Sequence, residues 1–262
     1  MKRPRLTLAL HKFSSCDGCQ LAMLNMGPDL LTLAEEVEIK HFAEAGLLDE
    51  EAEVDIALVE GSVVTAHDQQ RILQVRARSR FLITIGACAT SGGIQALKNL
   101  SAERDLWPGQ IYPSPEFIDS LDCSDAIKAY VKVDFELWGC PINSAQICAA
   151  IGQLLEGVMP AELNEKLCAE CKRRQVVCTL VTQGEPCLGP VTRTGCGALC
   201  PAFGRGCYGC YGPSELPHSD ALARRFTGLG LAPDAVGRRF HLIHPQQPEF
   251  ADIPFAGEDA ND

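Results

Sequence analysis

The chain has 262 residues, 46% of them apolar, enough to bury a sizeable core in one large unit or two. Its formal net charge of −11 excludes a general nucleic-acid binder, because no basic field faces phosphate. The basic start loses its apolar character at His11-Lys12, too soon for a signal h-region or a membrane span, and no twin-arginine signal precedes it. A soluble cytoplasmic protein is expected.

In chain order, Leu6–Leu10 reads as a short strand and Gln20–Glu36 as a helix. Val37–Phe42 alternates as a strand, and Val54–Val59 is a buried strand ending at Glu60-Gly61. Thr65–Arg78 reads as a polar helix and Phe81–Ile85 as an apolar strand. Ala126–Val133 is expected to be another strand, and Asn143–Leu155 a helix. Strands alternating with helices at this spacing predict right-handed βαβ units and a doubly wound, mostly parallel α/β sheet over residues 1–158. From 159 to 262 the character changes. One short helix is expected at Ala161–Lys172, and the chain to Gly212 is rich in Gly, Pro and Cys. Such a segment lacks the apolar runs for an ordinary core and needs inorganic staples. An amphipathic helix around Ser219–Thr227 and a proline-containing end, expected on the surface or against a partner, complete the chain.

Fourteen cysteines stand out. In a chain expected to stay in a reducing compartment they favour metal or cluster ligation over disulfides. Cys16 and Cys19 form a C-x-x-C after the first strand, Cys88 follows the strand FLITI, and Cys140 lies in GCPIN before a helix. All three loops should leave carboxyl ends of parallel strands, where open α/β sheets place their sites. These four are candidate ligands of one cluster, with a redox dithiol plus two buried thiols as the other reading. The late cysteines form two further fours: Cys168, Cys171, Cys178 and Cys187, then Cys196, Cys200, Cys207 and Cys210. Each has one C-x-x-C, which fits zinc ribbons less well than 4Fe–4S clusters, although a zinc-stapled, non-redox interaction protein shares the thiol count. Cys123 and Cys148 fit no group.

The stretches FSSCDGCQLAML, VEGSV, IGACATSGGI, WGCPIN and CLGPVTRTGCGALCPAFGRGCYGC resemble the small, electron-transfer subunit of nickel–iron hydrogenases. Within that family the chain, with RRFTGLGL in its tail, is most similar to the delta subunits of the cytoplasmic NADP-linked hydrogenases, also called sulfhydrogenases. The resemblance implies a flavodoxin-like domain followed by a cysteine-rich iron–sulfur domain with little regular structure. It implies a proximal 4Fe–4S cluster on Cys16, Cys19, Cys88 and Cys140, facing the NiFe centre of a separate large subunit. A medial cluster is implied on Cys196, Cys200, Cys207 and Cys210, and a distal one on Cys168, Cys171, Cys178 and Cys187. Membrane-associated relatives place histidine where this chain has Cys168, and only three medial cysteines, so 4Fe–4S is expected at all three sites here.

No intact G-x-G-x-x-G follows a strand, and the terminal C-x-x-C pairs of a nickel subunit are missing. Nicotinamide, flavin and nickel–iron are therefore expected on other subunits, alongside additional iron–sulfur subunits, with this chain conducting electrons between them and catalysing nothing alone. Small subunits of F420- or heterodisulfide-reductase-linked hydrogenases share these motifs and remain an alternative. Glu60 is expected to line the proximal pocket or the subunit interface, or else to cap a helix. His11 is expected to be solvated or hydrogen-bonded, and His241 and His244 to lie at the surface. Lys172, Arg173 and Arg174 are expected to form a solvated charge run or to steer an acidic partner.

Overall fold

The computed structural model describes residues 5–101 and 106–255; the first four residues of the basic start lie outside this range. Strand β1 (Leu6–Lys12) leads to helix α1 (Gly18–Leu24), then to α2 (Pro28–Glu36) and β2 (Val37–Phe42). The single helix expected over Gln20–Glu36 is thus two, because Gly27 at φ 59 and Pro28 break the run. A two-residue strand β3 (Leu47–Leu48) precedes β4 (Val54–Glu60). Helix α3 (Ala66–Ala77) starts on a capping box, in which Thr65 and Asp68 satisfy each other's backbone N–H groups. Strand β5 (Ser79–Ile85) runs directly into α4 (Gly86–Ser91), and after α5 (Trp107–Ile111) come β6 (Phe135–Leu137) and α6 (Ser144–Leu155).

The sheet order is β3-β2-β1-β4-β5-β6, with β3 antiparallel at the edge and every other pair parallel. This is the expected doubly wound α/β sheet. The order reverses between β1 and β4, so the loops after these strands diverge and leave a crevice at the carboxyl edge. One face of the sheet buries Leu8, Leu10, Ile56, Leu58, Ile83 and Ile85 with α6, and the other buries Ala57, Val59 and Leu82 with Ile72 and Val75 of α3. Each such side chain contributes roughly 1.5–3 kcal/mol.

The strand expected over Ala126–Val133 is not one. Ile127–Ala129 is a turn of 3₁₀-helix, closed by bonds from the Ala129 and Tyr130 N–H groups to the Ala126 and Ile127 carbonyls. Its alternating apolar residues, Ile127, Val131 and Val133, cover one face of the sheet instead of extending it. The last strand is β6, pinned where the Asp134 carboxylate accepts the Leu82 N–H at 2.9 Å and pairs with Arg76.

Beyond Glu156 regular structure is short: α7 (Leu167–Arg173), α8 (Thr179–Thr182) and α9 (Leu199–Ala202). Only the end of the helix expected at Ala161–Lys172 forms. The tail supplies α10 (Ser219–Gly228) and α11 (Pro233–His241), and it does not simply wrap the surface. Leu222, Phe226, Val236, Phe240, Phe250 and Ile253 join Leu167, Leu188, Val191 and Ala198 in a second core. The cysteine-rich segment thus borrows its apolar partners from the tail of the chain. Among the described residues no helix is long and apolar enough to cross a membrane.

Candidate iron–sulfur sites

The loop after β1 brings Cys16 to the surface and Cys19 into the first turn of α1, where it is buried. Cys88 rides on α4 directly after β5, and Cys140 follows β6. All four stand at the carboxyl edge of parallel strands. Burial raises the Cys19 thiol, followed by the Glu60 carboxylate and the thiols of Cys88 and Cys140. Burial pushes Cys88 up to about 11, with Cys140 and Cys16 adding to it. Cys140 is raised by burial and then by Cys16. The four sulfurs therefore share one electrostatic neighbourhood. Gly86 is required there: a Cβ on it would stand 2.4 Å from the Cys19 Sγ, and its φ is +83°.

Glu60 does both things expected of it. Only 2% exposed, it accepts from the Cys19 N–H at 3.0 Å and the Gln20 N–H at 3.3 Å, so it caps α1 while lying among the proximal thiols. His11 is neither solvated nor hydrogen-bonded through Nδ1; it is buried and stacked on His41 at 5.0 Å.

The late thiols occupy two adjoining neighbourhoods. Burial raises Cys168, and Cys187 and Cys178 add to it. Burial pushes Cys171 up to about 11, aided by Cys168, Cys187 and Cys178. In the other set, burial and then Cys196, Cys140 and Cys200 push Cys210 up to about 12. Cys207 is raised by its burial, then by Cys187 and Cys210. Neighbouring sets touch. A backbone hydrogen bond from Cys140 reaches Cys210, and the Cys207 N–H donates to the Cys187 Sγ at 3.2 Å. The Cys196 set thus lies between the other two. Cys123 and Cys148 stand outside all three.

Sequence reasoning missed several supporting groups. Glu170, between Cys168 and Cys171 on α7, accepts from the Gly195 and Ala198 N–H groups, both at 3.0 Å, and so ties the two late sets together. An acid inside a helical C-x-x-C was the available signal. Lys172, Arg173 and Arg174 are exposed, as a solvated run should be, yet Arg174 also donates to the Gly197 carbonyl and Arg173 pairs with Glu165 at 2.7 Å. His241 and His244 are buried at 3% and 1% exposure, not at the surface, because the tail folds back over the second core.

These donors fit iron–sulfur clusters. Four partly buried thiols cannot all ionise against one another without a compensating cation, which iron would supply. Among the described residues no three His, Cys, Asp or Glu side chains close on the space of a single ion.

A parallel α/β sheet carrying four thiols at its carboxyl edge, extended by a segment holding eight more, defines an iron–sulfur electron-transfer class of protein. The chain belongs to the family described as NADH ubiquinone oxidoreductase, 20 Kd subunit, which matches residues 16–154, and its relatives place it with the hydrogenase small subunits of that family. It is 36% identical to the sulfhydrogenase 2 subunit delta of Pyrococcus furiosus, over 80% of this chain and 87% of the relative. It is 31% identical to a subunit of the vhu F420-non-reducing hydrogenase of Methanocaldococcus jannaschii, over 89% of this chain and 99% of that one. A chain of the NAD+-reducing [NiFe]-hydrogenase in its H2-reduced state superposes with a TM-score of 0.55 at 28% identity, covering 61% of this chain and 96% of that one. A chain of the [NiFeSe]-hydrogenase of Dm. baculatum shares the fold at 13% identity, with a TM-score of 0.56 over 84% of this chain and 98% of that one.

Proposed function

We propose that this chain conducts electrons as the small subunit of a cytoplasmic NiFe hydrogenase, between a large subunit holding the NiFe centre and a partner holding flavin and NAD(P). The observation that carries this reading is the contact between successive thiol sets, at Cys140–Cys210 and at Cys207–Cys187. Cys16, Cys19, Cys88 and Cys140 are the ligands of a proximal 4Fe–4S cluster. Cys196, Cys200, Cys207 and Cys210 hold a medial one, and Cys168, Cys171, Cys178 and Cys187 a distal one. When bound, such clusters supply one-electron carriage at potentials set by ligand charge and hydrogen bonds. The residues 1–158 serve the proximal set, and 159–262 the other two.

What the chain's own residues do is hold these sets in sequence. Cys16 and Cys140 reach the surface at one end, where the large subunit would close the proximal site, and Cys178 is exposed at the other, toward the outgoing partner. Anaerobic purification of the complex with metal analysis tests the reading: about twelve irons on this chain are expected from three 4Fe–4S sites. Zinc in place of iron would favour a stapled scaffold, and about four irons would remove the late sites.

A second reading keeps the wire and changes its outlet. The likeness to the vhu hydrogenase, described as F420-non-reducing, covers more of this chain than the likeness to the sulfhydrogenase and supports an outlet of that hydrogenase's kind. Hydrogen-driven reduction of NADP+ or NAD+ by the intact complex separates the two.

A further inference from the structure

His244 belongs to neither core helix nor cysteine loop, yet it is 1% exposed and touches the surroundings of two thiol sets. Its Nδ1 lies 2.7 Å from the Ser91 Oγ, and its Nε2 3.2 Å from the Cys210 carbonyl oxygen. The Cys210 carbonyl only accepts, so Nε2 carries the ring proton, while Nδ1 meets a Ser91 hydroxyl that also reaches the Ala87 carbonyl at 2.8 Å. Ser91 closes α4, the same six-residue helix that carries Cys88. One imidazole thus spans from the helix of a proximal ligand to the backbone of a medial ligand.

The packing around this link repeats the same connection. Trp138, two residues before Cys140, lies 5.4 Å from the His244 ring, centroid to centroid. A Cβ on Gly212, two residues after Cys210, would meet the Trp138 ring at 2.3 Å, so only a glycine backbone passes there. Arg193 stacks over the Trp138 ring at 4.4 Å while its Nε donates to the Pro213 carbonyl at 3.0 Å. In return, the Tyr211 ring fills the space that a Cβ on Gly195 would enter at 2.6 Å, and a Cβ on Gly139 would meet it at 3.0 Å. An aromatic residue beside each set is therefore seated on a glycine beside the other, and between them runs the backbone hydrogen bond from Cys140 to Cys210.

We propose that His244 is a positioning residue that registers the proximal thiol set against the medial one, and so fixes the separation of the two clusters. The proposal rests on the three-cluster reading above. His244 touches no sulfur: it acts through Ser91 and the Cys210 carbonyl. Close, fixed spacing matters because electron tunnelling weakens steeply as the gap between carriers opens. Two packed rings and two hydrogen bonds hold that gap more rigidly than a flexible loop could.

The test uses the intact complex, purified anaerobically, with His244→Phe, which keeps a ring but removes both hydrogen bonds, and Ser91→Ala, which removes one from the other end. Iron analysis comes first, then EPR of the hydrogen-reduced protein, where two neighbouring reduced clusters broaden or split each other's signals. Both variants are expected to retain iron, to show an altered spin–spin interaction, and to lose about tenfold in kcat for hydrogen-driven dye reduction with KM for hydrogen unchanged. The double variant is expected to lose no more than the worse single one, and His244→Gln, which restores a donor to the Cys210 carbonyl, to recover part of the loss. If H244F does not assemble, S91A carries the same test. Full iron with an unchanged interaction and rate in either variant overturns the proposal and leaves the three-cluster reading standing. About four irons in the unsubstituted complex overturns both.

Discussion

Glu60 shows how one side chain can meet two needs at the same site. As the last residue of β4 it stands at the carboxyl edge, and its two oxygens take up N–H groups that the start of α1 leaves without partners. Its place at a strand end was legible in VEGSV, and the structure adds that capping and proximity to the thiols are one function of one residue. The histidines were less legible, because burial by distant segments leaves no local mark. His11 and His41 are the sharpest case. Burial holds His11 down at about 4, against an ordinary value of 6.5, with His41, Arg71 and Arg78 lowering it and Glu50 opposing them. Burial also lowers His41, where Glu50 and Asp49 oppose and Arg71 assists. Above pH 6.5 both rings are neutral folded or unfolded, and the stacked pair imposes no penalty. Below it the unfolded chain takes up protons that the folded one refuses, so stability falls as pH drops from 6.5 toward 4, by up to about 1.4 kcal/mol per pH unit for His11, with His41 acting in the same direction. Thermal melting of the complex between pH 5 and 7.5 should show this acid slope, and His11→Phe should flatten it; equal slopes would refute the assignment.

Elements reveal where sequence patterns compete. Ala126–Val133 alternates as a strand does, yet it turns, because an apolar face can be buried by covering a sheet as well as by joining one. The helix α11 shows the converse. With Pro233 in its first turn and Val236 and Phe240 on one side, it is a well-marked amphipathic helix that the chain's mixed composition conceals. Phe240 packs against Phe226 at 5.9 Å and edge-on against Phe250 at 5.5 Å, at the centre of the second core. Phe240→Ala should therefore cost about 3–5 kcal/mol in that core. Because the first core lies in the sheet, heating this variant should release about eight irons well before the remaining four, measured by chelator-detected iron against time. Simultaneous loss of all iron at the temperature of the unsubstituted protein would show that the tail does not support the late sites.

Over the whole molecule, the sequence offers a grouping of its cysteines but says little of what surrounds them. The carboxyl-edge placement of Cys16, Cys19, Cys88 and Cys140 was legible because the strand-end rule puts scattered loops on one edge, while the two late sets rest on thiol spacing, a local property. Their supports were not: Glu170, Arg174, Trp138 and His244 act across long stretches of chain, and no periodicity announces them. Cys200 tests the assignment at this scale. It lies on the short helix α9 near Cys196, and with it the middle set counts four thiols. Cys200→Ala should leave three, lower the iron on the chain from about twelve to about eleven, and change the EPR spectrum of the middle site alone. Undiminished iron would move Cys200 out of the ligand set.

The chain visits its thiol sets in an order different from the order in which they touch. It leaves the sheet, passes through Cys168 to Cys187, and only then returns to lay Cys196 to Cys210 between that set and Cys140. During synthesis both ends of the conductor therefore emerge before its centre, and the last residues, which bring His244 and the second core, close it. A chain cut short in the tail would be an open circuit: one terminal at the sheet, with the rest of the path unsupported.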